Sequence, residues 1–455
     1  MISLADFSGK LEEYLRAESF SSVHANSKQA LKEALADIIA CTLAGTQTAA
    51  FEMVKKFADS QWGTGRSSVL SVPEKMSASG AALVNATAAN ALDMDDGHRL
   101  VKGHPGAIVF PAVLAAAEEY NISGEEFMTA LLISYEIAIR AGILTHQLRP
   151  EYHCTGSWGA IGAAAGPGRI MGLTGNEICH ALGIAEYQST YSPMMRCIEN
   201  PSMLKDGIGW GSMTGISAAY LAKEGFTGIP SLFETVEAEP YLQELGKVYR
   251  VEELYYKPYA CCRWAQPGIE ALKELMLKHT LTNSEINKVK IYTFTEAASL
   301  SRKHPNNTEE AQYNLTFPFA AYLVTGEVGP DQVLNELGNP EILNTMDRIE
   351  IYISDVLDQQ FPKKALSRIE IEDSRGHIFS SSVHQAKGDY DFPLSSIEKK
   401  NKFYNLVEPI AGHEICDEIY RCIQEMENLL NIHELTSLLN INKKYGGIYH
   451  ARTSN

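Results

Sequence analysis

The chain has no basic excess, no CxxC cysteine pair, no uninterrupted apolar run of about 18 residues, no internal repeat and no low-complexity tract. Each absence removes a class of function. Lysine and arginine number 39 against 56 acidic residues, a formal net charge of -17. Nucleic acid and anionic membranes both require a basic footprint, so neither is expected as a partner. A small anionic substrate survives this test, because a pocket can be locally basic inside an acidic protein. The eight cysteines, at 41, 154, 179, 197, 261, 262, 416 and 422, are scattered, and adjacent Cys261 and Cys262 make a poor disulfide. They also lack iron–sulfur cluster spacing. A reducing cytoplasm is the expected location. The opening "MISLADFSGKLEEYLRAESF" carries acidic residues and no apolar signal-peptide core, and no transmembrane helix is expected.

What is present is ample core material. Apolar residues make up 45% of 455 positions and charged residues 21%, enough for two or three globular domains. To about residue 250 the pattern is helical. "SKQALKEALADIIACTLAG", "SGAALVNATAANALDMDD", "GEEFMTALLISYEIAIRAGI", "GSWGAIGAAAGPGRIMGL" and "SMTGISAAYLAKEGFTG" repeat apolar residues at helical spacing. Several are dense in alanine and glycine, which lets helix axes approach closely. Near residue 285 the texture changes. "INKVKIYTFT", "MDRIEIYIS" and "LSRIEIEDSRGHIFSSSV" alternate apolar and polar residues and read as strands, with "DSRG" as a hairpin turn. "TEEAQYNLTFPFAAYLVTGEV" and "GPDQVLNELGN" return to helix, as does the tail "CDEIYRCIQEMENLLNIHELTSLLN". The expected fold is mainly α: an all-helical domain over 1–264, joined by C-terminal helices over 400–455, and a smaller α+β lid domain over 265–399.

The densest ionisable chemistry lies in "NALDMDDGHRLVKGHPG", which holds Asp93, Asp95, Asp96, His98 and His104 just before the apolar run "AIVFPAVLAAAEEY". His98 and His104 are six apart, and neither forms HExxH or another metal spacing, so no metal is expected. Acidic residues at a helix C-terminus oppose the macrodipole. If these aspartates end a helix, hydrogen bonds or a positive pocket must offset them. The apolar helix that follows argues that this loop enters the body instead of lying in solvent.

In "EYHCTGSWGAIGAAAGPG" the glycines at 156, 159 and 162 lack the preceding strand and the GK[ST] of a phosphate loop. Close helix packing accounts for them better. His153 precedes this helix, where terminal amides and the dipole favour an anion; a satisfied core histidine is the alternative. Lys205 lies in "NPSMLKDGIGWGS", between apolar and glycine-rich segments. In "YYKPYACCRWAQPGIEAL", Lys257 and Arg263 flank the cysteine pair, and Pro267 suits the first turn of a helix. A nucleophilic cysteine needs a paired base. None is local, so Cys262 reads as a pocket wall.

These segments, with "SYEIAIRAG" and "DFPLSSIEKKNKF", resemble the MmgE/PrpD family in order and spacing along almost the whole chain. The family includes 2-methylcitrate dehydratase, cis-aconitate decarboxylase and iminodisuccinate epimerase. The resemblance implies a homodimer with an interdomain active site and no metal or organic cofactor. It implies a small di- or tricarboxylate substrate and a stabilised carbanion, with cis-aconitate decarboxylation to itaconate ahead of dehydration, epimerisation or non-catalytic carboxylate binding. The decarboxylase's pocket residues fall on Asp93, His104, His153, Lys205 and Lys257, the expected catalytic set. A third pocket histidine is replaced by Cys262, and the loop between Asp93 and His104 is one residue longer. The Asp-Asn that dehydratases carry after the His-Pro pair is missing from "HPGAIVFPA". Tyr152, Thr155, Cys262 and Arg263 are the expected substrate-binding residues. Lysine, arginine and histidine aimed at carboxylates can stabilise such a carbanion in a water-poor cleft.

Overall fold

The structure, a computed structural model, describes residues 4–441. Its larger part is a stack of buried helices: α1 (Ala25–Gly45), α2 (Ala78–Asn90), α3 (Pro105–Tyr120), α4 (Gly124–Leu148), α5 (Gly156–Ile170) and α6 (Ile208–Lys223). Helix α5 lies at the centre against α3, α4 and α6. Small residues make this closeness possible. A Cβ added at Gly162 would sit 2.3 Å from the Ala138 Cβ and 2.6 Å from the Ser134 carbonyl oxygen. The glycines of α5 therefore serve packing, and the element directly before it among the described residues is helix α4, not a strand.

Helix α4 is long and apolar enough to cross a membrane, yet it is buried among its neighbours. Its charged residues are internally satisfied. Arg140 pairs with Glu136 one turn away and donates to the Tyr241 and Val248 carbonyls at 3.1 and 2.8 Å. Glu136 accepts the backbone N–H groups of Arg250 and Val251, each at 3.0 Å. A buried ion pair persists only when its remaining donors and acceptors are used in this way.

Two departures from the sequence reading matter for the site. The helix expected to run into "DMDD" ends at Asn90, so no aspartate opposes its dipole. The chain then turns, with Asp93 at a φ of 54° and its N–H donating to the Asn90 carbonyl at 3.0 Å. The helical part also contains two short antiparallel ribbons, β1 (Thr64–Ser68) with β2 (Lys75–Met76), and β3 (Gly97–His98) with β4 (Leu254–Tyr255). Short stretches of this kind have too few residues to show an alternating pattern. The second ribbon pairs Gly97 with Tyr255, and a Cβ at Gly97 would lie 2.2 Å from the tyrosine ring. Glycine there lets the aspartate turn dock beside the segment that carries Lys257.

The remaining strands form one sheet in the order β6 (Ile349–Ile353), β5 (Ile286–Thr293), β7 (Leu366–Asp373), β8 (Ile378–Ser380), with β9 (His384–Gln385) also pairing β7. Only the β5–β6 pairing is parallel. Alternate residues of β7 are buried, and helix α7 (Gln266–His279) packs against β7 and β9. The β7–β8 hairpin turns through Gly376 at a φ of 82°. The single helix expected across "TEEAQYNLTFPFAAYLVTGEV" is two, α8 (Thr308–Gln312) and α9 (Thr316–Thr325). Asn314 separates them: its side-chain oxygen accepts the Thr316 and Phe317 N–H groups at 2.9 and 2.8 Å. That cap begins a new helix, so the first cannot continue. Helix α10 (Ser396–Ala411) starts at a Ser395/Glu398 capping box and packs on α1, and α11 (His413–Gln424) folds against both. Positions 442–455 of the expected C-terminal helices lie outside the described residues.

Candidate active site

The aspartate turn is buried and meets three other segments. Asp93 accepts from the Lys257 ammonium at 2.8 Å. His104 faces the turn from the start of α3, with Nδ1 3.1 Å from Asp95 Oδ2 and Nε2 3.7 Å from Asp93 Oδ1. The Asn90 amide donates to Asp95 at 2.9 Å. Asp96 is structural: it accepts the Gly106 N–H at 3.2 Å and the Tyr135 hydroxyl at 3.3 Å, which fixes the first turn of α3. His98, one residue past Gly97, rests 3.3 Å from Glu253 and anchors the same loop. The loop after α2 thus enters the body, as the apolar helix behind it required.

Burial and charge divide these groups into distinct protonation states. Burial alone would raise Asp95, but the neighbouring His104 outweighs it and holds the carboxyl at about 2. Burial likewise opposes ionisation of Asp93, and Lys257, Lys205 and His104 overcome it, so its pKa falls below the ordinary value. For Asp96 burial wins, reinforced by Asp37 and Asp95, and its pKa is pushed far up. Burial would lower His104 and Lys257; Asp95 for the first and Asp93 for the second reverse the sign, and both are raised. The arrangement offers a protonated imidazole and an ammonium side by side, each balanced by one carboxylate.

Lys205 enters from the residues before α6 at a φ of 46°. Its ammonium donates to the Gln312 side-chain oxygen and lies 5.4 Å over the Tyr313 ring. Gln312 ties several parts together: its side-chain amide donates to the Ala91 carbonyl at 2.9 Å, and its backbone carbonyl accepts the Cys262 backbone N–H at 2.8 Å. Burial, then Asp93, pushes the Cys262 thiol up to about 12. At neutral pH it is therefore a thiol and not a thiolate. Thr155 donates its N–H and hydroxyl to Asp206 at 2.8 and 2.6 Å and accepts the His104 N–H at 3.2 Å. Its geometry supports His104. The Tyr152 hydroxyl donates to the Lys102 carbonyl at 3.0 Å.

Two expected residues have other partners. Arg263 is gripped two-pronged by Asp389 and lies 4.8 Å over the Tyr255 ring. His153 stacks on His146 with ring centres 4.3 Å apart and planes 5° from parallel, and lies 4.9 Å from the Tyr191 ring. Ser157 donates to the Cys154 carbonyl at 2.8 Å, so at its 2.6 Å contact with His153 Nδ1 the histidine is the donor. Nε2 is left with the lone pair. Burial, with His146 second, lowers the His153 pKa to about 4.

Asp93, Asp95 and His104 bring three donor atoms within 4.8 Å of one another, the arrangement nearest to a cation site among the described residues. The Lys257 ammonium and the His104 imidazole already match the two carboxylates, so a metal ion would have to displace the ammonium and take the imidazole's proton. The donor set fits an internally compensated acid–base cluster better than a metal site. Sequence reasoning missed Gln312, Asp206, Asp389 and His146. Gln312 stands in the quoted "EEAQYNLTFPF", but no local pattern separates a buried glutamine from a helix-surface one.

The MmgE/PrpD N-terminal domain model matches residues 9–238 and the MmgE/PrpD C-terminal domain model matches residues 259–428. Among its relatives, a cis-aconitate decarboxylase-like protein, oryM, of Aspergillus oryzae is 24% identical across 92% of this chain and 94% of its own length. The cis-aconitate decarboxylase of Aspergillus terreus is 24% identical over 90% and 91% of the two chains. That of Homo sapiens is 21% identical over 90% of each.

Proposed function

Because the chain belongs to the MmgE/PrpD family, we propose that it is a lyase for a small di- or tricarboxylate, with cis-aconitate decarboxylation as the reaction. The observation that carries this reading is the buried contact of His104 with Asp95 beside the Lys257–Asp93 pair. The names of the relatives narrow the substrate class.

In the proposed reaction Lys205 and Lys257 hold the substrate carboxylates. The bond between the methylene carbon and its carboxylate breaks and carbon dioxide leaves. The electron pair moves through the double bond to the carbon beside a remaining carboxylate, where the cationic side chains stabilise it. Protonated His104 then delivers a proton to that carbon, giving itaconate. Asp95 keeps His104 charged before the step, and the imidazole recovers its proton from solvent after product leaves. Neutral His153 serves as a hydrogen-bond partner through Nε2.

The test is NMR of the protein with cis-aconitate, 2-methylcitrate or iminodisuccinate in D2O. The expected result is itaconate bearing one deuterium at the protonated carbon. Dehydration of methylcitrate, or deuterium wash-in without net product, would replace decarboxylation by the corresponding reaction. Inertness toward all three acids would overturn the lyase reading.

A further inference from the structure

One buried lysine stands close to the site and takes no part in the proposed chemistry. Lys402, on α10, donates to Asp37 Oδ1 on α1 at 2.6 Å and to the carbonyl oxygen of Met94 at 2.6 Å. Both partners of the ion pair are buried. Met94 lies between Asp93 and Asp95, so the bond holds the peptide that joins the two carboxylates of the site. The aspartate turn is therefore held from two directions, by Lys257 through the Asp93 side chain and by Lys402 through the backbone.

We propose that Lys402 is a positioning residue, which through the Met94 carbonyl keeps Asp93 directed at Lys257 and Asp95 directed at His104. The reason is geometric. Asp93 has a left-handed backbone with a φ of 54°, a conformation that aspartate tolerates better than most non-glycine residues but that local contacts must still hold in place. An ammonium bound to the next carbonyl supplies such a contact, and Asp37 keeps the ammonium charged and aimed. Cys41, Asp37 and Asp95 face Lys402; Asp93, Asp95, Asp96, Asp206 and Lys257 surround His104. Removing Lys402 and Asp37 together leaves the net charge of this group unchanged, so any effect on His104 reports placement.

The proposal rests on the reading of His104 and Asp95 as the acid–base pair, and its test has a readout that needs no substrate. In the double variant Asp37→Asn/Lys402→Met the methionine cannot donate to the Met94 carbonyl. The expected results are a folded protein by circular dichroism, a kcat at least tenfold lower with KM changed less than threefold, and a His104 imidazole that titrates closer to its ordinary value by NMR as Asp95 turns away. Lys402→Met alone leaves Asp37 buried without its partner, so it is expected to lose thermal stability that the double variant recovers. A folded double variant with wild-type His104 titration overturns the proposal. If the wild type turns over none of the tested acids, the lyase reading fails, and the titration still decides the role of Lys402.

Discussion

Lys257 and Asp93 lie 164 residues apart in sequence and 2.8 Å apart in space, both buried. Each charge is offset chiefly by the other. Lys257→Met strands the Asp93 carboxylate in the interior, with an expected loss of about 3–5 kcal/mol. The variant Asp93→Asn/Lys257→Met is expected to recover most of that stability while remaining inactive. Urea unfolding of both variants checks this; equal destabilisation by the single and double changes would show that the pair is not coupled.

The raised His104 and the lowered Asp95 make the site sensitive to pH in opposite directions. The stability gained by charging His104 is complete below its unfolded value of about 6.5 and is lost as pH rises through the raised folded value. That from Asp95 is complete above its ordinary value of 3.8 and is lost as pH falls toward about 2. Turnover that uses protonated His104 is expected to fall as pH rises through the raised His104 value. The pH dependence of kcat checks the limb, and its disappearance in His104→Asn checks the assignment.

For His153 the expectation is the reverse. With a pKa lowered to about 4 it is neutral across the physiological range. Its NMR resonances should stay constant from about pH 5.5 to 8 and show the Nδ1–H tautomer that the Ser157 contact requires. Titration near neutrality would contradict the buried stack with His146.

A thiol held at about 12 is not alkylated at neutral pH. Iodoacetamide is expected to leave Cys262 unlabelled in the native protein, as read by peptide mass spectrometry. Cys262→Ser is expected to cost less than about tenfold in kcat/KM, whereas losing a nucleophile costs several orders of magnitude.

At the helix crossing, Gly162→Ala places a methyl group 2.3 Å from the Ala138 Cβ. The backbones of α4 and α5 must separate to admit it. Overpacking of this kind costs about 1–3 kcal/mol; an unchanged thermal midpoint would show that the crossing has slack.

The element types were legible wherever a pattern ran long enough. The alternation in "LSRIEIED" became β7, and the glycine-rich run from Gly156 became the central helix. The two-residue ribbon of Gly97–His98 with Leu254–Tyr255 was not legible, because a pairing so short and so distant in sequence leaves no period. That ribbon sets Lys257 against Asp93. The break at Asn314 was missed for a related reason: a side-chain cap is a three-dimensional contact, and the apolar pattern continues across it.

The sequence by itself determined the materials of the site: aspartates and histidine in one loop ahead of a buried helix, and lysines in two later segments. Local composition and spacing suffice for that, since they decide which segments are buried and which residue types travel with them. Tertiary structure alone decided the pairings, Lys257 with Asp93, His104 with Asp95, Arg263 with Asp389 and Lys402 with Asp37. It also decided the charge states, because a buried group's pKa depends on partners within a few ångströms, and those arrive from segments that no local pattern connects.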